Sequence, residues 1–357
     1  METPAVVFVV IGVVKPYVLQ NIRFALQWSA ARDVIVISDH STIRSLPNGV
    51  RLIHISDLVS SQRKAMLVEQ LAATGTNVRW RHGYWVSILM RFEAISSLCR
   101  QIPESQPVIH VENDVATFFS REVLEPYLAS AEDCVYIPPV DNEHACPGVM
   151  VATSPGAMRV ACDYVVESVA NGSERSDMYA LGTLMTRGQV KSLPTRGGET
   201  STSTTPQVVF DSVVVGQYLF GSDPRNSQGV SVPGYRYVKG EFDPGHLTNW
   251  HVQLGADGVQ RIAAIDEGTT VSFASLHVHA KRVIPEVCAD DTEWQRVLSW
   301  ANAETRPELR ISILKVLGYK ATQFLRSVKH AFRDLDFPQS IDGEKPLHQA
   351  HTKSDSK

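Results

Sequence analysis

The stretch LMRFEAISSLCRQIPESQPVIHVENDV, residues 89–115, carries three signals in one line. Trp85, Ile88, Phe92, Ile95 and Cys99 recur at helical spacing and predict a helix over 84–100, with Arg91 at the edge of its apolar stripe. The polar break QIPESQ ends that helix, and PVIHVENDV then reads as a buried strand that finishes on two acids, Glu112 and Asp114, around Asn113. In an extended chain residues i and i+2 face the same way, so both carboxylates would project toward one point. Their repulsion is relieved by a cation or by a proton. Oxygen donors suit Mg²⁺ or Mn²⁺ better than zinc. A solvated turn after a strand is the plain alternative, because acids are common there.

Outward from this stretch, the first hundred residues alternate strand and helix: VVFVVIGVV, a segment over 17–31, VIVISDH, VRLIHIS and a helix over 62–73. Such alternation predicts an α/β fold, a mainly parallel sheet with helices on its faces. Ligands of these folds bind beyond the C-terminal strand ends, where Lys15, Asp39 and His40 fall. The apolar run from Ala5 to Val14 has no preceding basic residue and is too short for a bilayer, so it reads as the first strand of a cytoplasmic domain.

The 357 residues hold 34 basic and 38 acidic side chains, a balance without the basic excess of a nucleic-acid binder. Five scattered cysteines, with no Cys-x-x-Cys pair, suit reduced thiols better than a disulfide framework or a zinc site.

Later in the chain, VSFASLHVHAKRV alternates Ala274, Leu276, Val278 and Ala280 with Ser275, His277, His279 and Lys281. An imidazole from that polar face could complete a metal's coordination and Lys281 could hold phosphate oxygens, whereas an edge strand with a wet face is the bland reading. In CPGVMVAT, Gly148 offers close backbone approach or a simple turn. RGGETSTSTTPQ, 196–207, reads as an exposed loop. Residues 306–337 form a basic amphipathic segment, suited to packing on the domain or to an anionic membrane surface, and the polar tail over 338–357 reads as disordered. The expected division is a domain over 1–300, a helical segment over 301–337 and the tail.

The block over residues 89–115 resembles that of GT-A-fold glycosyltransferases carrying an Asp-x-Asp sugar-nucleotide signature, in which an arginine-bearing helix precedes an apolar strand ending in acids. The resemblance, which spans about residues 5–285, implies a GT-A-like, Rossmann-related sheet flanked by helices. It implies a nucleotide-sugar donor, Mn²⁺ or Mg²⁺ as cofactor, and a glycan or lipid-linked acceptor. It implies that Asp114 ligates the metal directly, that Glu112 contacts the metal or the donor's ribose, that Arg91 contacts the nucleotide or sugar, and that one of His277 and His279 binds the metal. Lys281 would meet the diphosphate and Gly148 would lie against the donor sugar. Asp39 joins the donor-binding set, and Asp211, ranked above Asp177, is the candidate for accepting the acceptor's proton. Glutamate where the family has its first aspartate is a departure that bears on metal geometry. The expected activity is a hexosyltransferase-like transfer in glycan or surface-polysaccharide assembly, in the cytoplasm or at the inner face of the membrane, with inversion or retention left open. A non-catalytic nucleotide-sugar or glycan binder and a metal-dependent phosphohydrolase are the alternative classes.

Overall fold

The computed structural model describes residues 2–27, 33–196, 207–223, 233–234, 237–240, 243–278 and 292–303, together with Ala321 and Leu325. The chain divides into units over 1–309 and 310–357, and the fold is that of the first. The basic segment and tail expected after residue 301 lie almost wholly outside the described residues, as do His279 and Lys281.

The chain runs β1 (Ala5–Val10), α1 (Pro16–Gln27), β2 (Asp33–Ser38), β3 (Val50–His54), α2 (Ser61–Ala73), α3 (Tyr84–Cys99), β4 (Val108–Val111), β5 (Val115–Thr117), α4 (Arg121–Leu128), β6 (Val135–Ile137) and β7 (Val149–Ala152). It continues through α5 (Pro155–Ala170), α6 (Asp177–Thr186), β8 (Val190–Ser192), β9 (Gln207–Phe210), α7 (Val214–Phe220), β10 (Thr248–Leu254), β11 (Gln260–Asp266), β12 (Thr269–His277) and α8 (Thr292–Ala301). Among the described residues the strands form a seven-stranded sheet ordered β3-β2-β1-β4-β7-β6-β8, parallel except at the β4–β7 and β6–β7 pairs. A second sheet runs β10-β11-β12-β5, with β9 also paired to β12. The mixed, mainly parallel α/β architecture expected from the alternation is therefore present.

β1 is buried on both faces, and its alternation sorts the core. Val6, Phe8 and Val10 pack with α1 and the second sheet, while Ala5, Val7 and Val9 pack with α2, α3 and α5. Apolar side chains on both faces are what a central parallel strand requires, and they made this segment readable as a strand. Serine residues fix the starts of α2, α5 and α6: Ser60, Ser154 and Ser176 accept from the backbone N–H groups of Arg63, Ala157 and Tyr179. Among the described residues no helix is long and apolar enough to cross a membrane.

The run PVIHVENDV divides where the acids begin. β4 ends at Val111 in the large sheet, residues 112–114 turn, and β5 starts at Val115 in the small sheet. The acids thus occupy the joint between the sheets instead of one extended strand, and a turn replaces the i, i+2 geometry.

His110 lies fully buried beneath that joint, its Nδ1 3.0 Å from the Val7 carbonyl and its Nε2 without a partner. Burial first, then the positive charge of Arg91, push its imidazole down to about 3. The unfolded chain takes a proton near pH 6.5 that the native chain refuses, so stability falls as pH drops from 6.5 toward 3. His110→Phe is expected to remove about 2 kcal/mol of the stability lost between pH 7 and 5, read from urea midpoints at the two pH values.

Candidate active site

The joint is built from several distant segments. The Glu112 N–H donates to the Gly148 carbonyl at 3.0 Å, and the Asn113 side-chain amide donates to the Val9 carbonyl at 2.9 Å. From the other side, the Val278 N–H donates to the Asp114 carbonyl at 2.8 Å, and β12 pairs His277 with Val115. These bonds carry the end of β12 onto the turn and bring His277 against both acids. Its Nε2 lies 3.3 Å from Asp114 Oδ1 and 3.5 Å from Glu112 Oε2. Donor atoms of Glu112, Asp114 and His277 all fall within 4.8 Å of one another.

The orientation of the His277 ring is set from behind. Nδ1 lies 3.4 Å from the Cys146 sulfur, which leaves Nε2 for the acids. Burial raises the Cys146 thiol, so it stays protonated. Burial alone would lower the imidazole, but the charge of Asp114 and the Cys146 contact outweigh it and hold His277 well above its ordinary value. Two carboxylates and an imidazole offer hard oxygens and one borderline nitrogen, and the acids already keep a positive charge between them. The residues fit a divalent ion of the Mg²⁺ or Mn²⁺ kind.

Arg91 occupies the other side of Glu112. Its guanidinium bonds Glu112 and, at 2.8 Å, Asp177, and it lies 4.8 Å over the Phe92 ring. Asp177 opens α6 directly after the Ser176 cap, where a helix N-terminus favours a negative charge. Burial pushes its carboxyl up and Arg91 opposes that shift. Arg91 therefore pairs both acids.

Asp211 is placed unlike an acceptor base. Its carboxylate is buried and accepts the backbone N–H groups of Val213, Val215, Gly216 and His277 at 2.8–2.9 Å. Four donors fill both oxygens. The group starts α7 and pins the backbone of His277, and Val213 beside it holds φ 101°, a left-handed value strained for a β-branched residue. Gly148 allows a close approach, here by a side chain of the protein. A Cβ there would stand 3.1 Å from His277 Nδ1, so its bare face makes room for the imidazole. Asp39 accepts the Gly12 N–H with both oxygens at 3.0 Å, beyond the ends of β1 and β2.

A cleft of about 510 Å³ opens over the joint. Glu112, Asp114, Arg91, Asp177 and His277 line it, with Val10 at the end of β1, Ile11 just after it and Tyr17 of α1. Gly148, Asp39 and Asp211 are not among its lining residues. Sequence reading passed over Arg81, Tyr84, Asn113, Cys146 and Asp223, which also line it. Tyr84, Ile88 and Arg91 stand four and three residues apart along α3, a spacing that could have revealed Tyr84.

Gly216 shows how closely α7 approaches this site. A Cβ there would meet the His277 carbonyl oxygen at 2.1 Å. Gly216→Ala is expected to push β12 away, lowering stability by about 1–3 kcal/mol and weakening manganese binding, read by thermal unfolding and calorimetry.

No family model matches the chain, and no curated protein matches it. Solved structures with a similar shape include the galactosyltransferase LgtC with donor and acceptor sugar analogues, at 14% identity over 57% of this chain and 75% of that one, with a TM-score of 0.34. An active-site mutant of LgtC is 14% identical over 83% of this chain and 94% of that one, with a TM-score of 0.38. The glycosyltransferase GlyE of Streptococcus pneumoniae TIGR4 is 14% identical over 54% of this chain, with a TM-score of 0.32, and this chain spans only 45% of its length. Identity of this order leaves substrate and chemistry to the chain's own residues.

Proposed function

We propose that the protein is a glycosyltransferase that takes a nucleotide-sugar donor and a glycan or lipid-linked acceptor, with a divalent ion held by Glu112, Asp114 and His277. The observation that carries this reading is the convergence of those three side chains, from two parts of the chain, at the joint of two sheets. An ion bound there would supply positive charge to a leaving diphosphate.

The remaining roles belong to the chain. Arg91 holds the carboxylates of Glu112 and Asp177 at the cleft wall, one on each arm of its guanidinium. Asp211 and Gly148 position His277, the first through its backbone and the second by leaving space. Asp177, at the cleft wall, is the better placed of the two candidate carboxylates to meet a substrate hydroxyl. Lys281 and His279 keep their proposed roles at the diphosphate and the metal, outside the described residues.

Purified protein incubated with several UDP- and GDP-sugars is expected to release nucleoside diphosphate in the presence of Mn²⁺ and far less with chelator. Hydrolysis of simple phosphate esters would favour a phosphohydrolase instead. Donor binding without any release would leave a non-catalytic binder.

A further inference from the structure

The sequence just before α3 gathers aromatic residues that the proposed chemistry does not use. Trp80, Tyr84 and Trp85 form a mutual cluster: Trp80 stacks on Trp85 at 5.9 Å, and Tyr84 meets each edge-on at 5.3 Å. Trp80 and Tyr84 remain 38% and 39% exposed, although burying such rings is strongly favourable. Arg81 places its guanidinium 4.2 Å over the Trp80 ring, from a backbone at φ 49° that a non-glycine residue rarely adopts. An exposed aromatic group held beside a strained residue calls for a ligand.

The cluster meets the cleft at Tyr84, whereas Trp80 and Trp85 are not among the residues lining it. Arg81 and Tyr84 line it together with Ile88 and Arg91, and the last three share one face of α3. Seven residues of helix put Tyr84 about 10 Å from Arg91 along the axis, roughly the span of one or two sugar rings. Aromatic rings bind saccharides by covering the apolar C–H face of a pyranose, while a guanidinium donates to its ring of hydroxyls. A nucleotide, by contrast, is expected beyond the ends of β1 and β2, where Val10, Ile11 and Tyr17 form a different part of the wall.

We propose that Trp80, Arg81 and Tyr84 form the acceptor subsite and that its ligand is a saccharide, the glycosyltransferase reading supplying only the role of acceptor. The cluster then sorts acceptors by their sugar rings.

The full chain, with Mn²⁺ and UDP or GDP present, is applied to a printed array of neutral and acidic oligosaccharides beside the variants Trp80→Ala and Arg81→Asn. Asparagine tolerates the left-handed backbone, so Arg81→Asn removes the guanidinium with little strain. Wild type is expected to bind at least one class of glycan, and each variant to bind it about tenfold more weakly. Trp80→Phe is expected to restore most of the loss. Nucleotide-sugar uptake should be unchanged in the Trp80 variants, whose position is not among those lining the cleft, which separates this subsite from the donor site. Variant-sensitive glycan binding without turnover supports the subsite and removes the transferase. No glycan bound by folded wild type, glycan binding that both variants keep, or equal loss of glycan and nucleotide-sugar binding overturns the proposal.

Discussion

Asp114→Asn is expected to reduce manganese-dependent release of nucleoside diphosphate by about a thousandfold, the loss of several kcal/mol of charge stabilisation. Asparagine keeps the shape of the side chain and the Val278 bond to the Asp114 backbone, so folding should be preserved. What disappears is one of two charges that face His277 Nε2. The imidazole then loses the strongest support for its positive charge, and an ion loses a ligand. Kinetics with saturating donor, together with direct titration of manganese, check the result. Unchanged release at unchanged metal affinity would exclude Asp114 from the site.

Arg91→Ala is the second large effect, and it falls first on stability. The guanidinium lies between Glu112 and Asp177 with little solvent access, so its removal leaves two carboxylates buried without their partner. Loss of one side of such a pair costs about 3–5 kcal/mol. Glu112 and Asp177 hold the guanidinium charged against burial, which by itself would lower it. Arg91→Lys keeps a charge but lacks the fork that reaches both acids, so an intermediate loss is expected. Urea unfolding at neutral pH measures both variants. A stability equal to wild type for Arg91→Ala would show that the two acids are not held by it.

Much of this was legible in the sequence because periodicity reports burial. The β-branched run at Ala5–Val10 and the stripe along α3 announced a central strand and a packed helix, and both exist. Glu112 and Asp114 stood out as acids after an apolar run, and their partners Arg91 and His277 were already suspects.

The manner of their meeting was not legible. That β4 and β5 belong to different sheets depends on pairing with β12, some 160 residues downstream, and no local signal reports register. Asp211 was expected to accept the acceptor's proton. Its role follows from a helix start at Val214 and a left-handed Val213, which lacks the glycine that marks such backbone in sequence. Gly148 announced a close approach correctly in kind, but the group that approaches is an imidazole of the protein. Cys146 carried no signal of its own, because a buried thiol behaves as a small apolar residue until its neighbour is known.

Isothermal calorimetry of the full chain with UDP- and GDP-sugars, with and without Mn²⁺, tests the shared site most directly. The expected result is nucleotide-sugar uptake that strengthens at least tenfold when manganese is present, about 1.4 kcal/mol of coupling, and that His277→Ala abolishes. Uptake indifferent to manganese, or unaltered by His277→Ala in a folded variant, would contradict a single ion-binding centre at the joint of the two sheets.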